Sequence, residues 1–196
     1  VNALVPSPTS SSLSVSPTSA MVGDTVTFTA VVTSGGGTPT GTVLFTIAGS
    51  PSGPFTLTNG SVAVPSSFLT AGNFSSSFVY TPSGNFQASS SNTSFFVITK
   101  ASTTTNLGSS LDPAALGASV TFTASVASGF AGTPGGTMNF LADGSPLCTS
   151  VPMSLGSAQC TTAALTTGVR QIQANYSGNG TYGASSDTYF QTINPP

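Results

Sequence analysis

The chain has 196 residues, of which six are charged: Lys100, Arg170, Asp24, Asp112, Asp143 and Asp187; Glu, His and Trp are absent. Nucleic-acid backbones and anionic membrane surfaces are held by clusters of Lys and Arg, so two cations seventy residues apart exclude both as partners. The chain is still 38% hydrophobic with thirteen Phe, which separates it from disordered sequences.

Residues 1–10 read as an N-terminal extension. Val1, Ala3 and Val5 fall on one face of an extended segment, a candidate donor strand for completing a neighbour's sheet. Along Asp24–Ser34 the apolar residues alternate, Val26, Phe28, Ala30 and Val32 against Thr25, Thr27 and Thr29. That period of two predicts a strand with one buried face and one threonine-covered wet face. A turn-rich SGGGTPTG leads to TVLFTIAG, with Val43, Phe45 and Ile47 on one face. PFTLT, SVAV, FSSSFVYT and TSFFVITK follow as further strands, punctuated by Gly, Pro, Asn and Ser at all-β spacing. No stretch reads as a helix, and no apolar run approaches the roughly 18 residues that cross a bilayer.

From there the pattern starts again. VTFTA occupies both Val26–Ala30 and Val120–Ala124, GTPTGTVLFTIAGSP (37–51) matches GTPGGTMNFLADGSP (132–146), and Leu69-x-x-Gly72 matches Leu165-x-x-Gly168. A repeat of about 95 residues predicts two copies of one all-β domain, residues 11–100 and 101–196. About seven short strands per copy is the size of an immunoglobulin-like β-sandwich. The link between them is nearly absent, which predicts a stiff end-to-end rod.

The pattern S-V-T-F-T-A-x-V, then G-T-P-x-G-T-V-x-F, then Tyr-Ser-Gly-x-x-x-Tyr/Phe-x-x-Ser resembles the bacterial immunoglobulin-like domain repeat of large surface proteins. The resemblance covers the chain from Ser11 onward. It implies seven-stranded sandwiches used as spacers in secreted adhesins or appended to extracellular enzymes, and it brings no catalytic residues. The first copy departs from it at Tyr80-Thr81-Pro82-Ser83, where the second keeps Tyr176-Ser177-Gly178.

Cys148 and Cys160 flank a turn-like Leu155-Gly156-Ser157 and read as a disulfide across a hairpin. Closing a loop of that length stabilises by roughly 3 kcal/mol on the chain-entropy model. The alternative is two buried thiols, since Val64 stands at the place of Cys160 in the first copy. Two thiolates without His leave zinc two ligands short. General acid–base chemistry lacks its commonest side chain, and a serine nucleophile lacks a base. Asp24, Asp112 and Asp143 sit at turn-like positions without calcium-loop spacing. No enzyme activity and no cofactor are expected.

Ser and Thr make up about a third of the chain, so its surface is hydroxyls and amides rather than charge. Glycans are one candidate cover, with sequons at Asn59, Asn73, Asn92, Asn175 and Asn179. Packing against copies of itself is another, because neutral surface is cheap to desolvate. No basic segment followed by an apolar one starts the chain, so the expectation is a secreted protein with its signal removed. The sequence thus points to a non-enzymatic extracellular structural protein on the cell surface. The expected role is a filament building block joined by strand complementation and low-charge faces, a homopolymer. The alternatives are a spacer among neighbouring repeats of a large adhesin, or a carbohydrate-binding module with Tyr176 and Tyr182 as its aromatic pair.

Overall fold

The computed structural model describes residues 5–196, and the described residues are all-β with no helix. The chain divides between Thr99 and Lys100 into two compact units.

In the first unit the strands are β1 (Thr9–Ser16), β2 (Ser19–Met21), β3 (Thr25–Ser34), β4 (Thr40–Ile47), β5 (Ser50–Thr56), β6 (Ser61–Ser67), β7 (Gly72–Ser83), β8 (Ser89–Ser90) and β9 (Ser94–Thr99). One sheet runs β1-β3-β6; the larger runs β2-β9-β7-β4-β5, with β8 on β7. The second unit holds β10 (Thr103–Ser109), β11 (Ala114–Ala115), β12 (Val120–Ser128), β13 (Thr137–Ala142), β14 (Ser145–Pro152), β15 (Ser157–Thr162), β16 (Gly168–Tyr176) and β17 (Ser185–Asn194). Its sheets run β10-β12-β15 and β11-β17-β16-β13-β14. Each unit is the expected immunoglobulin-like sandwich. The strand count exceeds seven because the first strand is split, β1 joining the small sheet and β2 the large one, as do β10 and β11, and because the first unit adds the two-residue β8 beside β7. Pro17 and Pro113 stand at the crossings, where a residue without an N–H interrupts the ladder.

The extension expected over residues 1–10 is shorter than its sequence reading. Ser7 already bridges Phe86, with Ser7 N–H donating to Asn85 O (3.0 Å) and Gln87 N–H to Ser7 O (2.9 Å), and β1 begins at Thr9. Ala101 makes the equivalent bridge to Tyr182 in the second unit.

Alternation places the cores as expected. Val26, Phe28, Ala30 and Val32 are buried on β3, and Val43, Phe45 and Ile47 on β4. The two cores differ at one end. In the first unit Phe74 pairs with Phe96 and joins Phe28 and Phe68 in a four-ring cluster, with centroids 5.1–6.4 Å apart. At the same register the second unit has Arg170 opposite Gln191. Gln191 is fully buried, and this is possible because every polar atom it carries finds a partner.

Candidate functional site

Four places gather the side chains singled out by sequence. The first is the side of the second sandwich where β14 and β15 lie. Cys148 and Cys160 form a disulfide with a Cα–Cα distance of 6.0 Å. They are not hairpin partners, which corrects the sequence reading: β14 pairs β13 in the large sheet, while β15 pairs β12 in the small one. The chain does turn sharply at Leu155-Gly156, closed by the Ser154–Ser157 bridge, but the turn carries it from one sheet to the other. The bond therefore ties edge strand to edge strand across the open side of the sandwich. Ser52 and Val64 hold the same registers in the first unit, opposite Phe45 and Phe28, and leave its seam without a covalent tie.

The second place is the end of the second unit around Gln191. Its amide oxygen accepts from Ser109 Oγ (2.6 Å), and its Nε2 donates to Leu111 O (2.9 Å), Asp112 Oδ1 (3.1 Å) and Thr192 O (3.0 Å). Asp112 also accepts from Thr192 N–H (2.9 Å) and from the Tyr189 hydroxyl (2.8 Å). That last bond, with some burial, raises the Tyr189 phenol above its ordinary value. Asp143 occupies a hairpin turn with φ 49°, as its Asp-Gly sequence predicts, and bonds Arg170 at 3.1 Å and Gln171 N–H at 2.9 Å. Every bond described here ties one part of the fold to another. Among the described residues no three of His, Cys, Asp and Glu come together.

The third place is the N-terminus. Val1 and Ala3 lie outside the described residues. Val5 is exposed, and its carbonyl accepts from Asn85 Nδ2 (3.1 Å) of its own unit.

The sequons form the fourth group, and the structure sorts them. Asn92 clamps one sheet to the other: Oδ1 accepts from Leu13 N–H (2.9 Å), and Nδ2 donates to Leu13 O (3.2 Å) and Ser94 Oγ (3.0 Å). Asp187 does the equivalent work in the second unit, accepting from Leu107 N–H at 2.8 Å. Asn179 closes a loop, with Oδ1 accepting from the Thr181 and Tyr182 amides and Nδ2 donating to Gly135 O. Asn59 is exposed at φ 51° in a turn; Asn73 is exposed on β7, and Asn175 is half-buried on β16. The candidate sugar platform does not form. Tyr176 and Tyr182 are buried, and their hydroxyls donate to Gly135 O and Ala131 O.

The sequence profile of the bacterial Ig-like domain (group 3) matches residues 13–99 and again residues 102–194. The chain belongs to this family. No curated protein matches it. Solved structures similar to this tandem of bacterial Ig-like domains include fibronectin(III)-like modules of Clostridium thermocellum CbhA, at 16% identity and TM-score 0.42 over 95% of each chain. A 1.5-MDa bacterial ice-binding adhesin matches at 20% identity and TM-score 0.42, over 98% of this chain and 67% of that one. The Yersinia pseudotuberculosis adhesin InvE matches at 16% identity and TM-score 0.47, over 94% of this chain and 58% of its own.

Within each bacterial Ig-like domain, the residues that carried the sequence resemblance have structural jobs. Phe86 and Tyr182 receive the entering chain. Ser89 then bonds the hydroxyls of Thr9 and Ser11 (both 2.7 Å), as Ser185 bonds those of Thr103 (2.8 Å) and Thr105 (2.7 Å). These hydroxyl latches hold the first strand to the opposite sheet without any charge. The second glycine of the G-T-P-x-G-T run is sterically required: at Gly136, with φ 117°, a Cβ would lie 2.9 Å from Gly178 O, and at Gly41 it would meet Thr81 O.

Proposed function

We propose that this chain is a non-enzymatic spacer segment of a bacterial surface or secreted protein, holding other parts of a longer assembly apart. The observation that carries the reading is that each repeat is a complete sandwich supplied with its first strand by its own chain, so that repeats add length without needing a partner. A disulfide and a neutral, hydroxyl-rich surface support an extracellular setting. Filament assembly by strand complementation, the role favoured by sequence, draws less support. β1 and β10 already fill the place a donor would take, and the edge strands β5, β6 and β14 carry Pro51, Pro54, Pro65, Pro146 and Pro152.

Negative-stain images of the purified chain test the choice. Isolated particles that sediment as monomers are expected, with small-angle scattering testing the stiff rod. Ordered filaments, abolished by deleting residues 1–8, would replace the spacer reading with strand donation.

A further inference from the structure

Each first strand travels beside the last strand of its own unit, in the same direction. In the first unit the contacts follow in order: Thr9 and Ser11 bond Ser89, Leu13 bonds Asn92 and Ser94, and β2 then pairs β9 in parallel from Ser19–Val97 to Met21–Thr99. The second unit repeats the series along β17. Thr103 and Thr105 bond Ser185, Leu107 bonds Asp187, Ser109 bonds Gln191, and β11 pairs β17 in parallel at Ala114–Ile193 and Ala115–Asn194. The sequence separation across these bonds stays between 78 and 81 in the first unit and between 77 and 82 in the second, so the two strands advance together.

The chain enters and leaves each unit at opposite ends. Ser7 bridges Phe86 in the connection after β7, whereas Ile98 stands opposite Gly72, where β7 begins. Ala101 bridges Tyr182 in the connection after β16, whereas Ile193 stands opposite Gly168, where β16 begins. A pull on both ends therefore slides the first strand backwards along the last. Bonds lying across that direction are loaded together and must fail together, while peeling would load them one at a time. In the second unit one side chain concentrates the grip. Where Val97 N–H donates to Thr18 O (2.9 Å), Thr192 N–H donates to Asp112 Oδ1 (2.9 Å), and the same carboxylate accepts from Gln191 Nε2 and the Tyr189 hydroxyl. A charged acceptor makes the stronger bond. It offsets a parallel ladder of two residue pairs where the first unit has three.

We propose that the coupled first and last strands of each unit form a shear clamp that lets the chain carry mechanical load, with Asp112 as the pin of the second clamp. The inference rests on the spacer reading for its use, since only a chain held at both ends is loaded. The two fail separately. Filaments in the images would remove the spacer and leave the clamp, and unfolding at one force from every direction would remove the clamp and leave the spacer.

The test is atomic-force pulling on the whole chain, because forced unfolding reports the barrier rather than the equilibrium stability. Handles at the two chain ends load both clamps in series and should give two high-force events. Ser50 is exposed beside the turn where Ala48 N–H donates to Ser75 O, at the end by which the chain leaves the first unit. Moving the first handle there through Ser50→Cys makes β9 peel from Thr99, so that the first unit's event should fall to about half its force while the second unit's stays unchanged. Asp112→Ala should lower one of the two end-held events by about a third. Phe140→Leu, on a strand that β16 separates from β17, should lower that force by much less for an equal or larger loss of urea stability. Circular dichroism verifies each fold, and the change of handle tests the clamp whether or not Asp112→Ala folds. Equal force at both handle positions overturns the clamp. A force loss in Asp112→Ala no larger than that in Phe140→Leu overturns the pin.

Discussion

Ser76 keeps a hydroxyl where nothing receives it. The side chain is 2% exposed, its oxygen has no hydrogen-bond partner, and it lies opposite Ile47 where the second unit sets Ile172 opposite Ala142. Removing a stranded buried hydroxyl relieves its desolvation cost, so Ser76→Val should stabilise the first unit by about 1 kcal/mol. Calorimetry should show its melting temperature rise by ~4–8 °C. Leu155 is a second local misfit. It is 95% exposed and adopts φ 48°, a backbone state that Asn59 fills at the corresponding turn of the first unit. Asn tolerates that state and Leu does not, so Leu155→Asn should stabilise the second unit by ~1 kcal/mol, read as a shifted urea midpoint at unchanged slope.

At the scale of strands, the Cys148–Cys160 bond covers the one side of the second sandwich where the sheets are not linked by a crossing strand. The first unit shows which residues the site accepts without it, so Cys148→Ser with Cys160→Val should fold and lose up to ~3 kcal/mol. Thermal melts of the second unit with and without reductant should differ by a similar amount, and the double variant should be indifferent to reductant. The strands themselves were legible because β3 and β4 alternate strictly, and the repeat made each copy a check on the other. What escaped the sequence were links between sheets. Asn92 read only as a sequon and Asp187 received no reading beyond its charge, because their partners Leu13 and Leu107 lie about eighty residues away on the facing sheet. The cysteine spacing suggested a hairpin, since adjacency in sequence does not tell which sheet each strand joins. The split first strand hid for the same reason, and Gln191 hid because a buried glutamine breaks the alternation that locates a core.

For the molecule as a whole, three tyrosines tie stability to high pH. Burial raises the phenols of Tyr80 and Tyr176, and the bond to Asp112 is the main cause at Tyr189. A phenol raised in the fold stabilises it fully below the unfolded value of about 10 and loses that contribution as pH climbs through the folded value. Both units should therefore unfold more readily above pH ~10, by circular dichroism at fixed denaturant, and Tyr189→Phe should blunt the response of the second unit alone. The seam bond also sets how far the chain can be drawn out. Once a sandwich gives way under tension, its whole length becomes available except the residues between the linked sulfurs. The sequence separation of 12, at ~3.6 Å per step, withholds about 4 nm from the second unit and none from the first. Optical-tweezer traces should show one rip shorter than the other by that amount, restored when thiols are added, so that the reach of this tether responds to the redox state of its surroundings.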